Sequence, residues 1–415
     1  MAPAQPGNVS KAVVTSGMTG YGVSDTSMGF SLRNIVRSLL TALAVLAGIH
    51  ASPVLAQKLA APTAARVDAT FSDVDAMAPG YAVGIMKNGR LIYAKGYGLA
   101  NLEDRVPNTP DTVFHLASLS KQFTASAVAL LILDHKLSLD DPVSRYTPET
   151  AKYGPALRLK HLVYMTSGLH EYSDVARPGA LPWYSAYYFT RNDAIDASLK
   201  QPTLEYAPGT KWTYSNINYM LLTRIVEKVS GQTFATFMHD RLFAPLGMSA
   251  SLIDDDTTLV IPHRAFGYAL RSEKVLGQLR QVGIRADDGP GYIRLDRNSP
   301  HFGGSGVFTS INDLAKWDAN WYSQRLAGPA FTALMNKRIK FRHDKDNDAF
   351  GLVFGNYDGQ ETIWYAGDDI DASTYMIRFP KQQLTVVCLS NNPLGDAQGR
   401  AMKIVKLLEA DGMLR

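Results

Sequence analysis

Strand-forming sequence lies toward the two ends of this chain and helix-forming sequence lies between them, so a single sheet has to be assembled from both ends. Residues 81–86 and 91–97 are rich in β-branched and aromatic side chains, and Lys87-Asn88-Gly89-Arg90 joins them. Asn-Gly accepts the positive φ of a tight turn, so the two runs read as a hairpin. Residues 362–365, 373–379 and 384–389 read as three more strands, and 397–408 as a closing helix. In the middle, residues 120–133 are apolar on nearly all faces, the mark of a buried helix. Residues 219–229 and 234–242 repeat at helical spacing. Val67, Phe71, Val74 and Met77 predict a first helix over 63–77, stopped by Pro79-Gly80. The stretch 253–300 has mixed charge, several glycines and no period, and is expected to be irregular. The expected fold is α+β: an antiparallel sheet flanked by N- and C-terminal helices, with an inserted mainly helical domain. Its sheet part spans about 62–117 and 301–415, and its helical part about 118–300.

The segment ahead of this fold reads as a leader. Arg33 and Arg37 precede an apolar run over 39–49, and small residues at Val54 and Ala56 suit signal peptidase, which places cleavage after Ala56. The run is shorter than the roughly 20 residues of a membrane span, and no cysteine follows it to carry a lipid. The expectation is a periplasmic or secreted protein with no stable membrane anchor. Of the formal +4, the leader's Lys11, Arg33, Arg37 and Asp25 contribute +2, leaving +2 without a basic tract. A nucleic-acid partner is not expected on so small a charge. The only cysteine, Cys388, excludes an intramolecular disulfide and sits in an apolar run as a small core residue.

Chemistry enters at Ser118-Leu119-Ser120-Lys121, which opens the buried helix and sets Ser118 and Lys121 one turn apart on one face. A serine hydroxyl needs a base to become a nucleophile, and a lysine desolvated in a cleft becomes one because burial disfavours its charged form. Further on, Pro208-Gly209 leads through four residues to Tyr214-Ser215-Asn216, a turn that delivers a tyrosine and an asparagine two residues apart. Ser-x-x-Lys followed by Pro-Gly-x-x-x-x-Tyr-Ser-Asn resembles the serine hydrolases related to class C β-lactamases, D-alanyl-D-alanine carboxypeptidases and β-lactamase-like esterases. The segments at 158–169 and 303–314 resemble the family as well, and the similarity extends from Ala65 to Leu408.

This resemblance implies Ser118 as acyl-forming nucleophile, Lys121 as base or its electrostatic partner, Tyr214 as proton shuttle, and Asn216 orienting substrate or lysine. The choice between Lys121 and Tyr214 as formal base stays open at this point. Relatives carry Lys-Thr-Gly, His-x-Gly or Trp-Gly-Gly on a strand lining the site, whereas this chain offers Tyr365-Ala366-Gly367-Asp368. Gly367 allows close backbone approach of a substrate, and the amides of Ser118 and Asp368 are candidates for the oxyanion hole. Tyr365 replaces a cation that would meet a substrate carboxylate, which disfavours β-lactams and favours a neutral ester or amide; Tyr365 is expected to bind substrate by donating a hydrogen bond, the alternative being a strand aromatic in the sheet face. His301-Phe302-Gly303 also matches His-x-Gly but precedes a helix instead of lying in the C-terminal strands, so it is set aside.

Asp368, Asp369 and Asp371 form an acidic cluster that either favours a cationic substrate or belongs to a strand connection. No histidine has metal-pair spacing, so neither a metal nor a cofactor is expected, and His115 is read as packed. The aromatic stretch 182–189 is a candidate acyl-pocket lining. A Gly-x-Ser-x-Gly elbow is missing, and Gly96-Tyr97-Gly98 lacks the third glycine of a dinucleotide loop. The expected function is an exported serine hydrolase acting on a small ester, amide or short peptide. The alternatives are a D-amino-acid-specific peptidase or weak β-lactamase and, from another class, a non-catalytic cell-wall peptide-binding protein.

Overall fold

A computed structural model describes residues 58–415 apart from 177–187, 282, 284, 340–346 and 349. The expected leader and most of the aromatic stretch lie outside the described residues. Asn88 and Gly89 take φ of 54° and 68°, the left-handed values a two-residue hairpin needs, and join β1 (Tyr81–Lys87) to β2 (Arg90–Tyr97). The other strands of that sheet are β3 (Asn347–Asp348), β4 (Val353–Tyr357), β5 (Gln360–Asp369), β6 (Ala372–Phe379) and β7 (Leu384–Ser390). Among the described residues they run β3-β4-β5-β6-β7-β1-β2, antiparallel at each pairing. The two chain ends meet where β1 pairs with β7, with Tyr81 opposite Ser390 and Lys87 opposite Leu384.

Five helices frame the site: α1 (Ala61–Ala69), α2 (Lys121–Leu133), α3 (Asn216–Ser230), α4 (Ile311–Ser323) and α5 (Ala397–Ala410). Both sheet faces are covered, which is why β1 and β7 read as continuous apolar runs. On one face, Val67 of α1 and Ala401, Ile404 and Leu408 of α5 pack with Val83, Ile85, Val386 and the buried Cys388. On the other, Ala82, Met86, Val387 and Leu389 join a larger core with α2, α3 and α4. The family fold expected from sequence, an antiparallel sheet with helices on both sides and a helix-rich segment between its ends, is the fold observed. No described helix is long and apolar enough to cross a membrane.

Two local expectations are corrected. The first helix ends at Ala69 instead of continuing to Met77, because Thr70 and Ser72 turn their hydroxyls back onto the carbonyls of Val67 and Ala69, the local alternative that competes with helix propagation. Met77 is left half exposed. The stretch 253–300 does contain structure: strands Tyr268–Leu270 and Tyr292–Arg294 pair, and helix Glu273–Gln281 buries Val275, Leu276 and Leu279. Three-residue strands are too short to display a period.

The sheet is locked to α4 by a buried ion pair. Arg378 Nε of β6 donates to Asp318 Oδ1 at 2.8 Å and Thr385 Oγ1 of β7 donates to the same oxygen at 2.7 Å, with both charged side chains at most 1% exposed. Replacing Asp318 by Ala leaves a guanidinium uncompensated in the core, and urea unfolding should show a loss of about 3–5 kcal/mol. An unchanged midpoint would show that the pair contributes nothing to the fold.

Candidate active site

The short strand Phe114–His115 pairs with Val307–Thr309, and the chain then turns sharply at Ala117, whose φ is 49°. A left-handed non-glycine residue costs on the order of 1 kcal/mol or more and persists only when its surroundings hold it. Here the Leu116 amide donates to Val307 O at 2.9 Å, Thr374 Oγ1 of β6 donates to Leu116 O at 2.9 Å, and the Val307 amide donates to Ser120 Oγ at 3.0 Å. The turn continues as a 3-10 segment, Ala117–Ser120, and α2 begins at Lys121. Ser118 therefore stands at the mouth of a buried helix while Lys121 is fully buried.

The four residues expected to be catalytic converge. Lys121 Nζ lies 3.0 Å from Ser118 Oγ, 2.6 Å from Tyr214 OH and 2.8 Å from Asn216 Oδ1, and the two hydroxyls are 2.5 Å apart. Asn216 is the first residue of α3 and Tyr214 sits in the turn before it, so the helix start fixes both. Tyr214 leaves 40% of its surface open, but its hydroxyl points inward to Ser118 and Lys121. Burial lowers the Lys121 pKa to about 7, against the opposing pull of Glu171 and Asp369. Burial, assisted by the nearby Glu171, Asp369 and Asp368 charges, raises that of Tyr214 despite its bond to Ser118. The tyrosine thus stays protonated under conditions where the lysine loses its charge.

Two further residues complete the site and escaped the sequence reading. Gly304 O accepts from Lys121 Nζ at 2.6 Å, and a Cβ at Gly304 would come within 2.8 Å of Asn216 Oδ1, so the Gly-Gly-Ser-Gly segment serves through its backbone and its lack of side chains. Glu171 Oε2 accepts from Ser215 Oγ at 2.8 Å and from the amides of Asn216 and Ile217 at 2.7 and 3.3 Å, satisfying donors left open at the start of α3. Burial raises the Glu171 pKa, with these donors and Lys121 opposing. A polar residue beside the Ser167-Gly168 turn carried no signal of that role, since its partners lie more than 40 positions away.

The third motif lies on β5. A Cβ at Gly367 would sit 2.4 Å from Leu116 O and 2.9 Å from Leu119 N, so β5 meets the turn that carries Ser118 backbone to backbone. Asp368 is exposed beside it, and burial of its carboxyl group together with the Asp369 charge raises its pKa despite a bond from Ser373. Tyr365, expected to bind substrate, is instead only 9% exposed and packs in the core near Val163, Met165 and Leu352, the strand-aromatic alternative. His301 is buried and stacked on Phe189, with ring centroids 5.0 Å apart. Folding, not sequence spacing, brings His115 beside Asp369 and Asp371, with candidate ligand atoms within 4.8 Å of one another. Both nitrogens of that ring are engaged, at 2.7 Å to Asp371 Oδ1 and 2.8 Å to Ser305 Oγ.

Comparison with known proteins identifies the family. The family model described as Beta-lactamase matches residues 67–410. The chain belongs to this family of serine hydrolases. Among curated relatives, it is 26% identical to the D-aminopeptidase of Gluconobacter oxydans (strain 621H) over 79% of this chain and 59% of that one. It is 27% identical to penicillin-binding protein 4* of Bacillus subtilis (strain 168) over 74% and 66%. The chain thus spans about three-fifths of the length of such relatives. Among solved structures, the D-amino acid amidase of Ochrobactrum anthropi SV3 complexed with L-phenylalanine amide superposes with a TM-score of 0.69 at 20% identity, covering 84% of this chain and 99% of that one. The octameric penicillin-binding protein homologue of Pyrococcus abyssi gives 0.69 at 23% identity over 84% and 77%. The β-lactamase and penicillin-binding-protein fold is therefore the fold of this chain.

A lysine that accepts a proton must be neutral, so the labelling rate of Ser118 should climb with pH through about 7 and level off above it. Glu171→Gln removes a charge that favours the ammonium, and the rising limb should move to lower pH in fluorophosphonate labelling followed from about pH 5 to 9. Movement to higher pH would contradict the assignment. At Gly367, an alanine should push β5 off the Ser118 turn and slow labelling at least about tenfold.

Proposed function

We propose that the chain is a serine hydrolase that forms an acyl-enzyme at Ser118 and acts on small amides or esters, with Lys121 as base and Tyr214 as proton relay. One observation carries this reading. Asn216 Oδ1 and Gly304 O can only accept, so they take up two hydrogens of the Lys121 amine. A neutral amine has two hydrogens and one lone pair, and the lone pair is then left facing the hydroxyls of Tyr214 and Ser118.

In this reading the Ser118 Oγ attacks the substrate carbonyl while its proton passes through Tyr214 to Lys121 Nζ. The amides of Ser118 and Asp368 receive the charge that develops on the carbonyl oxygen; the contact of Gly367 with the turn that carries Ser118 supports that role for β5. Collapse of the tetrahedral intermediate expels the amine or alcohol, which takes the proton back through the same pair. Water then attacks the acyl carbonyl and gives a proton to Lys121; collapse of the second tetrahedral intermediate breaks the bond to Ser118 Oγ, which takes that proton back, and the acid leaves with Lys121 neutral again. Export of the mature chain, with cleavage after Ala56, is part of the proposal and rests on the leader sequence.

A narrower reading is favoured by the charges around the cleft. Glu171 and Asp369 bear on both Lys121 and Tyr214, and Asp368 bears on Tyr214, an acidic setting that favours an amino group over a carboxylate. Similarity to a D-aminopeptidase supports a D-aminoacyl amide or short peptide over a β-lactam. Tyr365, in the place of the family cation, is consistent with the same preference.

Intact-mass measurement should test this on wild type and Ser118→Ala exposed to a fluorophosphonate, a p-nitrophenyl ester, a labelled penicillin and D- and L-alanine p-nitroanilide. The expected result is a fluorophosphonate adduct on wild type alone, turnover of the ester and the D-anilide, and little penicillin adduct. A wild type left unmodified and inactive with every reagent would make the protein a binding protein that retains the cleft. Rapid penicillin turnover would overturn the substrate preference alone.

A further inference from the structure

Behind the nucleophile lies a second hydrogen-bonded constellation that the proposed mechanism does not use. His115 Nδ1 is 2.7 Å from Asp371 Oδ1 and His115 Nε2 is 2.8 Å from Ser305 Oγ. The Gly306 amide also donates to Nε2, at 3.3 Å. An amide can only donate, so Nε2 is the accepting nitrogen and the hydrogen on Nδ1 goes to Asp371. His115, Asp371 and Ser305 are 3%, 4% and 9% exposed, and the imidazole is stacked on Phe308 at 5.0 Å.

Each member belongs to a different part of the active site. His115 ends the strand that runs into Ala117 and Ser118. Asp371 lies in the tight turn between β5 and β6, where Asp369 pairs with Ala372, three positions after Asp368. Ser305 follows Gly304, whose carbonyl holds Lys121. Nucleophile turn, oxyanion hairpin and lysine-holding loop therefore meet at one imidazole.

We infer that the Asp371–His115–Ser305 chain is a positioning clamp, which sets the distance between the Ser118 turn, the amide of Asp368 and the loop that fixes Lys121. The inference rests on the acyl-enzyme reading and adds to it a group that touches neither substrate nor nucleophile. Three side chains holding three backbone segments at fixed separation is what a preorganised oxyanion hole requires, because a donor displaced by a fraction of an ångström loses most of its value in the transition state. The strained Ala117 gives the clamp a second purpose. With φ at 49°, that residue relaxes unless the segments on either side are held, and His115 holds the segment before it. A clamp acts through geometry, so it tolerates any group at 371 that accepts from Nδ1–H. Asparagine offers its Oδ1 in the same place, and alanine offers nothing. The nearby Arg297 keeps its own partners, Asp254 and the carbonyls of Ser299 and His301, when the charge at 371 is lost.

The test is steady-state turnover of the p-nitrophenyl ester by wild type, Asp371→Ala, Asp371→Asn and Ser305→Ala, with intact mass after fluorophosphonate treatment and thermal melting on each. The clamp predicts that Asp371→Ala lowers kcat by about ten- to a hundredfold with KM within about twofold, since the loss falls on the transition state and not on ground-state binding. Asp371→Asn should restore kcat to within about threefold of wild type, and Ser305→Ala should lower kcat by less than Asp371→Ala does. Unchanged kcat in Asp371→Ala overturns the clamp. Equal impairment of Asp371→Asn and Asp371→Ala overturns it in favour of a role for the carboxylate charge. A fluorophosphonate adduct on Ser305 in Ser118→Ala protein overturns it by making the constellation a second nucleophile. Failure of the underlying reading is separate: there, wild type itself shows neither adduct nor turnover.

Discussion

The removal of the Lys121 amine from water is the constraint on which the rest of the molecule depends. A lysine is among the most expensive residues to bury, and here it is the first residue of a helix whose every face is covered. Its partners come from remote parts of the chain: Tyr214 and Asn216 before and at the start of α3, and Gly304 in the loop before α4. Burial alone would drive the amine far toward neutrality, and the carboxylates of Glu171 and Asp369 pull it back to about 7. The balance leaves a group that gives and takes a proton with nearly equal ease near neutral pH, the condition for efficient general acid–base catalysis.

That balance explains why so much of the helical region is built from apolar surface. Trp317 and Phe243 both pack on Phe123 of α2, and Trp317 Nε1 donates to Gln122 Oε1 at 2.7 Å, fixing the helix one residue past the lysine. Gly351 presses the same backbone from the other side, where a Cβ would fall 2.5 Å from the carbonyl carbon of Lys121. A helix so enclosed cannot rotate to carry the amine back to solvent.

Much of this was legible in the sequence, and the parts that were not share a physical cause. The hairpin at Asn88-Gly89 and the apolar runs of β1 and β7 are local patterns, and Ser118, Lys121, Tyr214 and Asn216 belong to short motifs with fixed spacing. Glu171, Gly304 and the grouping of His115 with Ser305 and Asp371 are contacts across 44 to 256 positions, which no window along the chain contains. β4 has Val353, Phe354 and Tyr357 interrupted by glycine and asparagine, so no run of strand formers marks it, and it forms paired along β5. The first helix was overextended for the opposite reason: the apolar period persists to Met77, but short hydroxyl side chains end the helix before the period does.

The order of strands across the sheet also determines when the site around Lys121 can assemble. β1 is made early, but its neighbour on one side is β7, completed only at residue 390. The turn carrying Ser118 leans on β5 and β6, and the bond from Thr374 to Leu116 spans 258 positions. Chain closure over such distances is slow, and it cannot begin until the last strands exist. A growing chain therefore carries its Ser-x-x-Lys motif long before it carries an active site. A product cut short before β6 thus has Ser118, Lys121 and Val307 but lacks the Thr374 hydroxyl that holds the Leu116 carbonyl ahead of Ala117.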